Sequence, residues 1–124
     1  GTTLAVWGLA FKPRTDDVRE SPALYGVEQF LNAGFAVRAY DPEGMDNARA
    51  ILGDRLVTVA DGYEALPGAD ALVIFTDWQE FRTPDFERIA RTLKKPLVVD
   101  GRNLYEPPVM KKMGIEYYCI GRPG

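Results

Sequence analysis

Histidine is absent from the 124 residues, and cysteine occurs once, at Cys119. Ser-His and Cys-His nucleophile pairs are therefore excluded. The commonest ligands of a structural zinc are missing too, and a lone cysteine closes no internal disulfide. Positive charge is not in excess: 15 Lys and Arg stand against 18 Asp and Glu, a net charge of −3. A nucleic-acid or anionic-membrane surface would need a basic surplus. No apolar run approaches the ~18 residues of a membrane span, and no signal-peptide pattern opens the chain. There is no initiator methionine either; Gly1-Thr2-Thr3 runs straight into an apolar strand, so residues 1–124 are expected to be one domain cut from a longer protein. What remains is an ordinary globular composition, 46% hydrophobic, in a length suited to a single soluble, cytoplasmic domain with its own core.

Short apolar runs alternate with helical patterns. Leu4-Ala5-Val6-Trp7-Gly8 reads as a strand apolar on both faces, as buried parallel strands are. Ser21-Pro22 reads as a helix cap followed by proline at the first helical position. Leu24, Val27 and Leu31 fall on one helical face, and Gly34 supplies the stop. Ala36–Tyr40 is a second strand closed by Asp41-Pro42. Met45, Ala48, Ile51 and Leu52 make a helical stripe ended by Gly53. Leu56–Val59 is a short strand, Tyr63–Leu66 a short helix, and Ala71–Thr76 the clearest buried strand. Asp77–Arg82 reads as a loop, and Thr83-Pro84 as the start of a helix with Phe86, Ile89, Ala90 and Leu93 inward. Pro96–Asp100 and Ile115–Ile120 are the last strands, with a loop and short helix over Asn103–Met113. Alternation of this kind predicts an α/β, Rossmann-like, doubly wound and mainly parallel sheet of about six strands with four or five helices.

Ligands of such sheets bind beyond the carboxyl ends of the strands. Three loops there carry unusual residues: Gly8–Glu20, Thr76–Arg82 and Asp100–Tyr105. The first departs from the Gly-x-Gly-x-x-Gly turn that lays a dinucleotide pyrophosphate on a helix N-terminus. Its later glycines are replaced by a stretch containing Lys12, Arg14 and Arg19. These cations are suited to phosphate, lysine as a point charge and arginine as a fork; on composition alone a solvated loop beside Asp16, Asp17 and Glu20 is the favoured reading. In the third loop Gly101 allows close approach to the backbone, and Arg102 is suited either to an anionic ligand or to a pair with Asp100. Asp41 stands where a Rossmann acid binds ribose, but with Pro42 after it the turn-forming role is favoured. Cys119 reads as a buried, inert thiol, Trp7, Phe75 and Phe86 as core, and Trp78 as core cover or a partner contact. A receiver-like signalling domain is disfavoured because Asp16-Asp17 stands too far from the first strand.

Taken together, Gly8-Leu9-Ala10-Phe11-Lys12-Pro13-Arg14-Thr15-Asp16-Asp17-Val18-Arg19-Glu20-Ser21-Pro22 resembles the opening of the C-terminal, UDP-binding domain of the UDP-glucose/GDP-mannose dehydrogenase family. Tyr40-Asp41-Pro42, Thr76-Asp77-Trp78-Gln79-Glu80-Phe81, Val99-Asp100-Gly101-Arg102-Asn103 and Tyr117-Tyr118-Cys119-Ile120-Gly121-Arg122 match in the same order, so the resemblance spans nearly the whole chain.

The resemblance implies an NAD-dependent oxidoreductase of polysaccharide and nucleotide-sugar metabolism. Such an enzyme oxidises the C6 alcohol of UDP-glucose to the carboxylate of UDP-glucuronate with two NAD. It implies a partner domain, the N-terminal NAD-binding one, and a homodimer formed through the region between the two. The catalytic cysteine of the family lies in the part not represented here, so no catalytic residue is assigned and this chain alone is expected to be inactive. By the same resemblance Phe11 and Lys12 meet the substrate, Lys12 near the diphosphate. Arg102 contacts the nucleotide sugar, and Arg19 reaches NAD held on the other domain. The implied partners are thus a UDP-sugar and the NAD-binding domain, with no metal, nucleic acid or membrane. The same domain of a GDP-mannose or UDP-N-acetylmannosamine dehydrogenase, and a non-catalytic interaction module, remain as alternatives.

Overall fold

In the computed structural model, which describes residues 2–9, 22–76, 79–101 and 104–119, the apolar runs form a single sheet. Its strands are β1 (Thr3–Trp7), β2 (Ala36–Tyr40), β3 (Leu56–Thr58), β4 (Ala71–Ile74), β5 (Leu97–Asp100) and β6 (Glu116–Cys119). Every pairing is parallel and the spatial order is β3-β2-β1-β4-β5-β6. The chain winds outward from β1 to β3, returns to β4 and winds outward again to β6. β1 and β4 are therefore neighbours whose connections leave in opposite directions, which opens a crevice at their carboxyl ends.

Five helices were found among the described residues: α1 (Pro22–Asn32), α2 (Met45–Leu52), α3 (Gln79–Arg82), α4 (Phe86–Thr92) and α5 (Pro107–Lys112). α1 ends as its sequence requires. Gly34 takes φ +94°, its N–H donates to the Leu31 carbonyl at 3.1 Å, and Phe35 N–H donates to Phe30 at 3.0 Å. That pair of bonds satisfies the last carbonyls of the helix, and glycine adopts the left-handed conformation without a Cβ clash.

Successive residues of a strand face opposite sides, and the core divides accordingly. Trp7, Leu72, Ile74, Phe81, Ile89, Val98 and Met110 pack on one face; Val6, Leu9, Val27, Val37, Leu56 and Val73 pack on the other. All of β4 is buried, so both faces are covered, as expected for a doubly wound sheet. Trp7 illustrates how the polar handle of an aromatic is accommodated. Its ring stacks on Phe81 with centroids 5.1 Å apart and meets the edge of Tyr63 at 5.8 Å. Its indole N–H donates to the Gly62 carbonyl at 2.9 Å. Truncating such a ring costs about 3–5 kcal/mol. Phe75 and Phe86 are half-buried rather than fully enclosed.

Three local expectations are corrected. Asp77–Arg82 is not loop throughout, since Gln79–Arg82 forms α3. The cap of α4 is Asp85 rather than Thr83: its carboxylate accepts from the Arg88 N–H at 3.0 Å, the Ncap-to-N3 bond that an acid forms as readily as a hydroxyl. In α2 only Ala48 and Leu52 are buried, while Ile51 is 51% exposed. The helix is eight residues long and lies along the outer part of the sheet, where a narrow stripe suffices. Ser21, Trp78 and the Cys119 side chain lie outside the described residues. No helix among the described residues is long and apolar enough to cross a membrane.

Candidate functional site

The register places the carboxyl ends of three strands at one level. Trp7 pairs with Ile74, and Ile74 pairs with Asp100. The loops leaving β1, β4 and β5 therefore start side by side, spread over roughly 10 Å at the usual strand spacing. These are the three loops in which the sequence concentrates cations, amides and aromatics. Two cavities lie elsewhere, at the outer edges of the sheet. One, of about 720 Å³, is lined by residues that include Pro107, Lys111 and Tyr117; the other, of about 580 Å³, is lined by Asp46, Arg49 and Val57 among others. Neither is lined by residues of the three loops.

The β1 loop leaves from a rigid point. Gly8 has φ +100°, and its N–H donates to the Tyr40 carbonyl at 2.8 Å. A Cβ at this position would come within 2.5 Å of the Thr76 Cβ and 2.6 Å of its backbone nitrogen. Only glycine lets the end of β1 lie this close to the end of β4. The next residue, Leu9, is fully buried, and its N–H donates to Asp41 Oδ2 at 2.8 Å. The other oxygen of Asp41 accepts from the N–H groups of Glu43 at 2.9 Å and Gly44 at 2.7 Å. Asp41 is thus the turn-former favoured from its sequence, and more. It is fully buried and joins the end of β2 to the start of the cationic loop. A buried carboxylate is tolerable where several donors converge on it.

The β5 loop has a similar anchor. Asp100 is fully buried, and its Oδ2 accepts from Leu104 N–H at 2.6 Å, Tyr105 N–H at 3.3 Å and the Tyr117 hydroxyl at 2.6 Å. Tyr105 in turn donates its hydroxyl to the Phe81 carbonyl at 2.6 Å, which ties this loop to α3 in the β4 loop. Burial, and then the adjacent Asp100 carboxylate, push the Tyr105 phenol well above the ordinary tyrosine range. It therefore stays a neutral donor.

Of the residues assigned to binding, Phe11, Lys12, Arg19 and Arg102 all lie outside the described residues. The structure sets side by side the strand ends next to which two of their loops lie: Gly8 and Leu9 after β1, before the first three, and Gly101 and Leu104 on either side of the segment holding Arg102. Arg14 also lies outside the described residues. Among the described residues no group of three or more His, Cys, Asp or Glu is placed to hold a metal.

Sequence reasoning missed three contributors. Gly26 lies inside α1, where a Cβ would come within 2.7 Å of the Phe75 ring. It allows the close approach of helix to sheet that the third glycine of a dinucleotide fingerprint provides. A glycine in a helix interior, costing about 1 kcal/mol against alanine, was the available signal. Tyr105 and Tyr117 left no such signal. They are 12 residues apart in sequence and meet only because β6 pairs with β5.

Residues 5–107 match the UDP binding domain of the UDP-glucose/GDP-mannose dehydrogenase family. A UDP-glucose 6-dehydrogenase of Rhizobium meliloti (strain 1021) is 51% identical over 123 residues, which is 99% of this chain and 28% of that protein. A solved UDP-glucose dehydrogenase from Pyrobaculum islandicum superposes with a TM-score of 0.77 at 36% identity, over 95% of this chain and 25% of its own. A UDP-D-ManNAc dehydrogenase from Pyrococcus horikoshii gives a TM-score of 0.77 at 37% identity, over 98% of this chain and 26% of its own. The chain thus spans about a quarter of the length of these relatives.

Proposed function

The chain belongs to the UDP-glucose/GDP-mannose dehydrogenase family through its UDP-binding domain, and from that premise we propose that it is the C-terminal nucleotide-sugar-binding domain of an NAD-dependent UDP-glucose 6-dehydrogenase. The observation that carries this reading is the alignment of the β1, β4 and β5 loops at the point where the strand order reverses. Lys12 and Arg102 stand on two of those loops. Phe11 and Lys12 meet the nucleotide sugar, Lys12 neutralising the diphosphate. Arg102 approaches from β5, a fork suited to phosphate or sugar oxygens.

The residues present do not fit NAD as a resident cofactor of this domain. After Gly8 no glycine follows until Gly26, which is already inside α1 and packed on Phe75. The glycine turn that seats a dinucleotide pyrophosphate is therefore not built here. NAD is assigned instead to an N-terminal domain of the longer protein, with Arg19 reaching it across the cleft. The oxidation of UDP-glucose to UDP-glucuronate is then chemistry of the whole protein, and this chain alone holds the nucleotide without turning it over. UDP-glucose is favoured over other sugar nucleotides because the relative at 51% identity bears that name.

Calorimetric titration of this chain with UDP, UDP-glucose and GDP tests the reading. UDP and UDP-glucose should bind alike, GDP more weakly, and affinity should fall as salt rises because the contacts are ionic. Equal binding of all three, or of none, would contradict it.

A further inference from the structure

The two faces of the sheet are not covered evenly. β4 is buried along its whole length, but burial alternates along β5. Val98 and Asp100 are enclosed, whereas Leu97 and Val99 are only half-buried. Successive strand residues face opposite sides, so one face of β5 is sealed and the other is not. On β6, Tyr118 pairs with Val99 and is 57% exposed. Leu97, Val99 and Tyr118 thus form one apolar strip across two neighbouring strands.

The connections account for the strip. Right-handed crossovers put α1 and α2 on one side of the sheet and α3, α4 and α5 on the other. Val27, Ala48 and Leu52 accordingly pack with Val6, Val37 and Val73, and Val99 only borders that set. Phe81, Ile89 and Met110 pack with Leu72 and Val98. The connection from β3 to β4 also lies on the second side, through Ala65, Leu66 and Ala69. α1 reaches as far as Phe75, whose ring lies 6.3 Å from that of Phe30 and against Gly26. Beyond Phe75, no helix among the described residues covers β5 and β6 on the first side. Strands of a parallel sheet are covered on both faces, and Leu97, Val99 and Tyr118 are side chains suited to such a cover.

We propose that the strip of Leu97, Val99 and Tyr118 is the docking surface for the segment immediately preceding Gly1 in the longer protein, seated as an amphipathic helix. The proposal rests on the reading of this chain as a C-terminal domain. The chain spans about a quarter of the length of its relatives, so the longer protein has residues to supply the cover. The entry point suits it. Thr2 and Thr3 are held at the amino-terminal edge of the sheet: the Thr2 carbonyl accepts from Ala36 N–H at 2.9 Å, and Thr3 N–H donates to Asp70 Oδ2 at 2.9 Å. Only β4 separates β1 from β5, a distance of roughly 10 Å that a few residues of chain span. A helix ending at that edge runs antiparallel to the strands, the direction of the crossover helices themselves. A tethered segment also outcompetes a second copy of the chain for the same strip, because its local concentration is far higher.

Photo-crosslinking in the longer protein tests this. Tyr118→p-benzoylphenylalanine keeps an aromatic ring at the exposed end of the strip. After irradiation and digestion, crosslinks should map to roughly the 20 residues before Gly1, the length of one helix and its connection. Their yield should not depend on protein concentration. Crosslinks to a second copy, crosslinks to more distant residues, or no crosslink at all would overturn the proposal. Thermal melts of the longer protein give a second readout. Tyr118→Glu should lower the midpoint by placing a charge under an apolar cover. Ile51→Glu, at the 51% exposed position on α2, should leave it unchanged. An unchanged midpoint in Tyr118→Glu would also overturn the docking. UDP calorimetry separates this from the reading beneath it: UDP binding without the crosslink overturns the docking alone, and the crosslink without UDP binding overturns the nucleotide reading alone.

Discussion

The N–H of Leu9 and the carboxylate of Asp41, 32 residues apart in sequence, meet at 2.8 Å in the interior. Through this bond the second residue beyond β1 is held by the turn beyond β2. Asp41→Ala would leave three backbone donors, those of Leu9, Glu43 and Gly44, without this acceptor. A loss of about 3 kcal/mol is expected, with weaker UDP binding because the cationic loop starts from a displaced point. Asp41→Asn, which keeps one oxygen, should lose less. Denaturant melts of the two variants check the order; equal stability of Asp41→Ala and wild type would contradict it.

Gly8→Ala should be poorly tolerated for a different reason. The methyl group would fall on the backbone and side chain of Thr76, in a conformation of φ +100°. Left-handed strain of about 1–2 kcal/mol adds to overpacking of about 1–3 kcal/mol. Gly34→Ala, at φ +94° with nothing within 4 Å of its Cβ, meets the strain without the clash. The difference in midpoint between the two variants isolates the cost of the close approach.

Tyr105 gives a pH dependence whose sign is fixed by its burial. Its folded pKa is raised above the unfolded value of 10.0, chiefly by burial and next by Asp100. The neutral form is thus favoured in the fold. Its contribution is fully present below pH 10 and is lost as pH climbs above the unfolded value. Stability should therefore fall in alkali. Tyr105→Phe should be less stable at neutral pH, having lost the bond to Phe81, yet should decline less between pH 9 and pH 11. Equal alkaline slopes for the two proteins would contradict this assignment.

Lys12 and Arg19 are separable in the longer protein of which this domain is proposed to be part. Lys12→Ala should raise the KM for UDP-glucose about ten- to a hundred-fold by removing one charge-assisted contact, with kcat little changed. Arg19→Ala should raise the KM for NAD more than that for UDP-glucose, and the difference should shrink at high salt. Steady-state kinetics with each ligand varied in turn decide the matter. An unchanged NAD KM with a small drop in melting temperature would return Arg19 to a surface pair with Asp16 or Asp17, worth about 0–1 kcal/mol.

The architecture was legible because its signals are local. The run Ala71–Ile74 is apolar throughout, Gly34 sits one turn past a helical stripe, and strand and helix patterns alternate along the chain, with α2 and α3 the weakest of them. The switch point followed from topology rules rather than from any one residue. The anchors of the site were less legible. Asp41 follows a strand and reads as a turn-former, and Asp100 ends a strand and reads as a possible partner of Arg102, but that their carboxylates are buried depends on partners far along the chain, Leu9 for one and Tyr117 for the other. Gly26 was readable only as an unfavourable helix residue until Phe75 was placed against it. Asp85 outcompetes Thr83 as a cap because it directly precedes the helix, a matter of one or two residues that pattern alone does not resolve.

The central claim is that a uridine nucleotide lies across the carboxyl ends of β1, β4 and β5. Amide NMR of the isotope-labelled chain during UDP titration tests it most directly. The account predicts saturable shifts at Gly8, Leu9, Thr76, Gly101 and Leu104. It also predicts quiet amides at Thr3, whose N–H bonds to Asp70 at the opposite end of the sheet, and at Val57 on β3. Shifts centred on Thr3 and Val57, with the carboxyl-end amides unmoved, would contradict it.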